Sequence, residues 1–188
     1  MATTTVFERG LLAGAAGTLA LDTYTYGDIF ATARPASDLP ATTVRKIAER
    51  THLEPLLGDD GPPPNRRTGA GALLGYGVGL GAGVVYAAVR PALRALPWPL
   101  AGALLGLSTL LVSEGSATAL GATDWRTWTP SQWAADIVPR TLYGVTVAYV
   151  IERFLQSDDD SRALTFAGSA ESIAVVSDAA TVVEVDEL

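Results

Sequence analysis

The chain has 188 residues, 48% hydrophobic and only 18% charged, where an average soluble domain carries about 25% charged residues. Its formal net charge of −7 gathers after Gln156, at Asp158, Asp159, Asp160, Glu171, Asp178, Glu184, Asp186 and Glu187; the rest is near neutral and offers no basic footprint for nucleic acid. Without cysteine and with His52 as its one histidine, the chain lacks disulfides, thiolate metal sites and cysteine nucleophiles, and neither enzyme activity, a metal nor a cofactor is expected of it.

The charges are segregated, and the long stretches between them are nearly bare. A membrane-spanning helix needs about 20 mostly apolar residues, and four segments qualify: 7–27, 69–89, 98–119 and 134–154. Within the first, residues 10–21, GLLAGAAGTLAL, have the look of a signal-peptide core. Arg9 stands beside Glu8, however, and Asp22 follows without a clean cleavage site, so this segment reads as a retained first span. In the loop that follows, Val44, Ile47, Ala48 and Leu53 recur at helical spacing among Arg45, Lys46, Glu49 and Arg50. The pattern predicts a short amphipathic helix over 42–53, lying on a membrane surface or on the bundle. Pro62, Pro63 and Pro64 break the chain before the second span.

The second span has no charge and no polar face, which argues against a soluble bundle with buried core helices. A short RPALRALP link makes the second and third spans antiparallel neighbours. Trp125, Trp128 and Trp133 precede the fourth span, at the depth where interfacial tryptophans belong. The acidic tail, 157–188, is expected to be disordered; its run IAVVSDAATVVEV is the alternative, a strand. The fold class expected is therefore all-α, an integral membrane four-helix bundle over 1–156 with an amphipathic helix in the first loop. Arg90 and Arg94 in the tightest loop favour cytoplasmic termini in a plasma (inner) membrane.

Glycines recur every four residues in the second span, at Gly71, Gly75, Gly79 and Gly83; Gly10 and Gly14 repeat the spacing in the first and Gly102 and Gly106 in the third. In lipid the hydrophobic force between helices is weak, and glycine permits the close backbone approach that replaces it. These faces would pack the bundle internally, form a seam between copies, or line a pore. Glycines at nucleotide-loop spacing in GYGVGLGAG lie inside an apolar span and are rejected as a nucleotide site.

Charged residues inside a span are costly unless paired or watered. Asp22, Glu114 and Arg140 fall at similar depth on one side, and Asp136 lies four residues before Arg140, on the same helical face. They form a candidate intramembrane cluster, with Tyr24, Tyr26, Ser113, Ser116 and Tyr143 near enough in sequence to complete its hydrogen bonds. The cluster would handle a proton or ion, anchor a polar ligand, or fix helix register as a salt bridge.

A glycine-rich first span ends in Asp22 followed by TYTYGD, Ala33-Arg34-Pro35 comes next, and the last span opens with WAADIVPRTLYG. In these features the layout resembles the small YagU-like inner-membrane proteins. The resemblance covers 7–154, leaves the tail without a counterpart, and implies a membrane location with no assigned activity. The function expected is a non-catalytic membrane subunit or scaffold associating through its glycine faces. Its partners would be the lipid bilayer and either a second copy or a larger membrane complex. The alternative is a small channel or proton- or ion-coupled transporter using the Asp22, Glu114, Asp136 and Arg140 cluster.

Overall fold

A computed structural model describes residues 3–53 and 64–185, with side chains described for 5–53 and 65–160. Among the described residues the chain is all-helical, with five α-helices and no strand: α1 (Thr3–Thr32), α2 (Leu39–Thr51), α3 (Pro64–Val89), α4 (Trp98–Ala119) and α5 (Pro130–Val185). Short 3-10 turns, Arg90–Leu93 and Trp125–Thr127, precede α4 and α5. Contacts divide the chain into two units, Met1–Ile151 and Glu152–Leu188.

Helix ends follow local chemistry. Pro35 lies just beyond the end of α1, whose last carbonyls are met at Ala33, a left-handed residue with φ 54° whose N–H donates to the Ile29 carbonyl at 2.9 Å. Helix α2 starts at Leu39, earlier than expected, because Pro40 suits the first turn of a helix. It closes on His52 in the left-handed conformation (φ 56°), with the Leu53 N–H reaching back to the Ala48 carbonyl at 3.0 Å. Its apolar side buries Ala48, and on its outer side Lys46 and Arg45 pair with Glu49 at 3.1 and 2.7 Å. The hydrogen bond from Lys46, joined by Arg45, holds the Glu49 carboxyl below its ordinary range.

Helix α4 ends on Gly121 (φ 73°), and the Ala122 N–H bonds the Ala117 carbonyl at 2.8 Å. Helix α5 opens with a reciprocal cap. The Thr129 N–H donates to Gln132 Oε1 at 2.8 Å, the Gln132 N–H returns to Thr129 Oγ1 at 3.4 Å, and Pro130 takes the first helical position. Trp133 stacks at a tilt on Trp125 and Trp128, with ring centroids 6.4 and 5.3 Å away.

Among the described residues the tail forms no strand. The α5 backbone is helical through Val185. Alanine is frequent there, Gly168 is the last glycine, and no proline follows Pro139, so nothing in the sequence stops the helix. Within the second unit Arg153 donates to Gln156 Oε1 at 3.3 Å.

Two helical stretches, Asn65–Leu93 and Trp98–Ala119, are long and apolar enough to cross a membrane. Within the first unit the helices meet at glycines. A Cβ placed on Gly10 would sit 2.5 Å from Val84 Cα, and one on Gly14 would sit 2.8 Å from the Gly79 carbonyl oxygen. The pairing of Gly10 with Val84 and Gly14 with Leu80 makes α1 and α3 antiparallel. The same approach joins α4 to α5. Gly102 lies on the backbone of Gly144 and Val145, and Gly106 on the backbone of Arg140 and Thr141. The core so formed is built of small residues, including Ala13, Ala101, Ala117 and Ala148, around the larger Tyr86, Tyr143 and Val147.

The expected run of four glycines in α3 is not one continuous groove. Gly79 and Gly83 meet α1, but Gly71 meets Pro40 and Ala41 of the surface helix α2, and Gly75 meets nothing within 4 Å. The substitutions Gly14→Leu and Gly83→Leu are therefore expected to lower stability by at least about 1–3 kcal/mol, the usual cost of overpacking. Gly75→Leu is expected to cause no such loss, because nothing lies within 4 Å of its Cβ position and leucine favours the helix more than glycine does. Thermal unfolding of the purified variants checks this, and equal stability for all three contradicts the α1–α3 contact.

Candidate functional site

Along α4, Gly102, Gly106, Leu110 and Glu114 recur every four residues and are all buried. They form the stripe that faces α5. Because Gly106 carries no side chain, the Arg140 carbonyl lies directly against it, and this fixes the height of α5 against α4. Two turns further along the same stripe, Glu114 comes opposite the first turns of α5.

There Arg140 gathers the polar groups. Its Nη2 donates to Glu114 Oε1 at 3.0 Å, its Nε to Asp136 Oδ1 at 3.2 Å, and its Nη1 to Ser113 Oγ at 3.2 Å. Asp136 and Arg140 reach each other along one face of α5, four residues apart. Burial is graded: Glu114 is 2% exposed, while the side chains of Arg140 and Asp136 are 18% and 27% exposed. One guanidinium thus holds two carboxylates, and each carboxylate keeps one buried oxygen without a hydrogen-bond partner, Glu114 Oε2 and Asp136 Oδ2. Thr118 Oγ1, one turn beyond Glu114 on the same stripe, is likewise buried and unpartnered. Pro139, beside Arg140 inside α5, has no N–H to offer the Ala135 carbonyl.

Not every residue of the expected cluster joins it. Asp22 makes no hydrogen bond or ion pair among the described residues, so three carboxylates around one arginine reduce to two. Of the expected hydrogen-bonding partners Ser113 takes part, whereas Tyr24, Tyr26 and Ser116 are exposed. Tyr143 serves another purpose. Its ring fills the space above Gly17, and its hydroxyl donates to the Gly79 carbonyl at 2.6 Å, tying α5 to α1 and α3 at once.

Sequence reasoning missed Gly17 and Gly144, both in close contact, because neither belongs to a four-residue run with its neighbours in its own helix. It also missed two arginines that bond backbone carbonyls. Arg50 of α2 donates to the Ala119 carbonyl at the end of α4 at 3.1 Å, and the buried Arg90 donates to the Leu93 carbonyl at 2.8 Å inside the α3–α4 link. Cations at helix C-termini are a readable signal, but the partner of Arg50 is remote in sequence. Among the described residues no group of three or more His, Asp or Glu is placed to hold a metal ion.

Arg140→Ala leaves Glu114 and Asp136 facing each other without their shared cation. Removing one partner of a buried pair costs about 3–5 kcal/mol, and a loss of that size is expected in unfolding of the purified protein. Asp22→Asn is expected to leave stability unchanged, since no ion pair is lost. A variant order in which Asp22→Asn is the more damaging contradicts this assignment.

No model of a known protein family, no curated protein and no solved structure matches the chain. The likeness to the YagU-like proteins therefore rests on the sequence features that suggested it.

Proposed function

We propose that the chain is a multi-pass integral membrane protein with spans at 7–27, 69–89, 98–119 and 134–154, serving as a non-catalytic subunit or scaffold in a plasma (inner) membrane with cytoplasmic termini. The observation that carries this reading is the exposure of α3. It is one of the two helices apolar enough to cross a membrane, yet only 11% of its apolar stretch is buried. The core helix of a soluble bundle would be covered by its neighbours; a helix bordered by lipid or another chain is not. Leu73, 71% exposed, and Val85, 60% exposed, represent the uncovered surface. Helix α4, with 39% of its apolar stretch buried, supports the same reading.

The glycine faces expected to recruit partners are largely occupied within the chain. In this proposal association uses the outer side of α3, where Gly77 and Gly81 meet nothing within 4 Å. A non-catalytic role is favoured because His52 is an exposed helix end and the buried acids are tied to Arg140. The second reading, a small proton- or ion-coupled transporter, is favoured by one observation, the buried unpartnered oxygen of Glu114.

The membrane proposal is tested by single cysteines at Thr4, His52, Ala95, Thr127 and Ser161 in a chain that has none of its own. Labelling is expected to alternate across the membrane, with Thr4 and Ser161 on one face. Opposite faces for those two would remove the four-span arrangement, and extraction of the protein by alkaline carbonate would remove the membrane assignment. Mass analysis in mild detergent separates the two functions. A copurifying partner or defined oligomer is expected for a subunit, whereas a lone monomer with Glu114-dependent ion flux in vesicles favours the transporter.

A further inference from the structure

We propose that Glu114 and Asp136 form a proton-binding pair, sharing one proton between Glu114 Oε2 and Asp136 Oδ2 while Arg140 holds their other oxygens. The geometry that carries this is the division of labour among four oxygen atoms. Glu114 Oε1 and Asp136 Oδ1 accept from the same guanidinium at 3.0 and 3.2 Å. That common partner brings the two carboxyl groups to neighbouring donors, Nε and Nη2, on one edge of a single guanidinium. The remaining oxygen of each is buried and has no partner, although buried polar atoms are nearly always satisfied. Glu114 itself is 2% exposed. One hydrogen placed between the two free oxygens satisfies both.

Charge leads to the same site. Two carboxylates and one guanidinium leave a single uncompensated negative charge in a largely buried place, and one proton neutralises it. The charged groups of adjoining elements do not supply the missing charge. Arg50 of α2 is directed to the Ala119 carbonyl, Asp22 of α1 makes no ion pair, and the Tyr143 hydroxyl is engaged by the Gly79 carbonyl. A metal cation fits less well. Hard cations take about six or more oxygen ligands, whereas two free carboxylate oxygens and the Thr118 hydroxyl are on offer, and the Arg140 charge repels a cation at close range. Two carboxyl groups held together share a proton for the same electrostatic reason in other settings. The partly exposed Asp136 side chain is the route by which the proton enters from solvent and returns to it. The pair is a property of α4 and α5 within the first unit, and it does not depend on what covers α3.

The test is infrared spectroscopy of the purified full-length protein in detergent near neutral pH. The wild type is expected to show a carboxylic-acid C=O band that shifts slightly in heavy water. The band is expected to disappear in Glu114→Gln and equally in Asp136→Asn, because either change leaves one carboxylate matched to one guanidinium. Asp22→Asn is expected to keep it. Absence of the band from the wild type overturns the proposal, an outcome that depends on no variant folding. Survival of the band in either Glu114→Gln or Asp136→Asn overturns the sharing of the proton. Loss of the wild-type band on adding sodium or potassium at constant pH overturns it as well, since a metal ion would then hold the site.

Discussion

Close backbone approach at glycine is the contact on which this structure depends. Helix α1 lies on α3 through Gly10 and Gly14 against Gly83 and Gly79, and α4 lies on α5 through Gly102 and Gly106 against Gly144 and the Arg140 carbonyl. Each glycine inside a helix costs about 1 kcal/mol relative to alanine, and α3 spends many residues this way. The return is contact area, since a helix without Cβ atoms on one face comes near enough for dense van der Waals packing. The rest of the core is small to match, with alanine at Ala13, Ala101, Ala117 and Ala148 and Tyr86 and Tyr143 among the larger side chains. Tyr143 shows how the two pairs are joined. Its ring occupies space left by Gly17, and its hydroxyl reaches the Gly79 carbonyl at 2.6 Å.

The polar cluster is a consequence of that packing. Arg140 is held against Gly106 by its own backbone, so its side chain has a fixed starting point from which to reach Ser113 and Glu114. Burying the pair costs desolvation on both sides, and such a pair adds little net stability compared with apolar residues of equal size. Glu114 stands in a stripe with Gly102, Gly106, Leu110 and Thr118, so a one-turn slip of α5 would leave the carboxylate with no cation opposite.

The periodic features of the fold were legible in the sequence, and the azimuthal ones were not. Helix α4 has the bounds its apolar run implies, 98–119, and the amphipathic spacing around Val44 and Ile47 marks α2. A four-residue glycine spacing identifies a face but not the neighbour. Gly71 therefore meets α2 and Gly75 meets nothing, although both share the face that serves Gly79 and Gly83. Depth counting placed Asp22, Glu114 and Arg140 at one level, and the four-residue spacing added Asp136. Glu114 and Asp136 do meet Arg140, whereas Asp22 makes no ion pair among the described residues. The Thr129–Gln132 cap was readable from its T-x-x-Q spacing, whereas the Arg50–Ala119 bond spans two remote helices and has no local signature. Beyond Gly168 alanine is frequent and glycine and proline are missing, which suits the helical backbone that α5 keeps through Val185.

The distribution of polarity over these helices runs opposite to that of a soluble bundle. An ion pair with a 2% exposed glutamate is inside, while Leu12, Leu19, Leu73 and Val112 on α1, α3 and α4 face outward at 60% exposure or more. In water, apolar area left uncovered forgoes about 25 cal/mol per Å², and buried charge is costly as well, so a soluble chain has reason to avoid both. A hydrocarbon surrounding reverses the first term, because outward leucine and valine then meet a medium as apolar as themselves. It also sharpens the second, because the only place for a charge is inside, beside a partner. The glycine contacts belong to the same logic, since packing must replace the hydrophobic force that lipid removes. Apolar exterior, paired interior charge and glycine-mediated contact are three separate observations, and the membrane setting proposed above would account for all of them with one change of solvent.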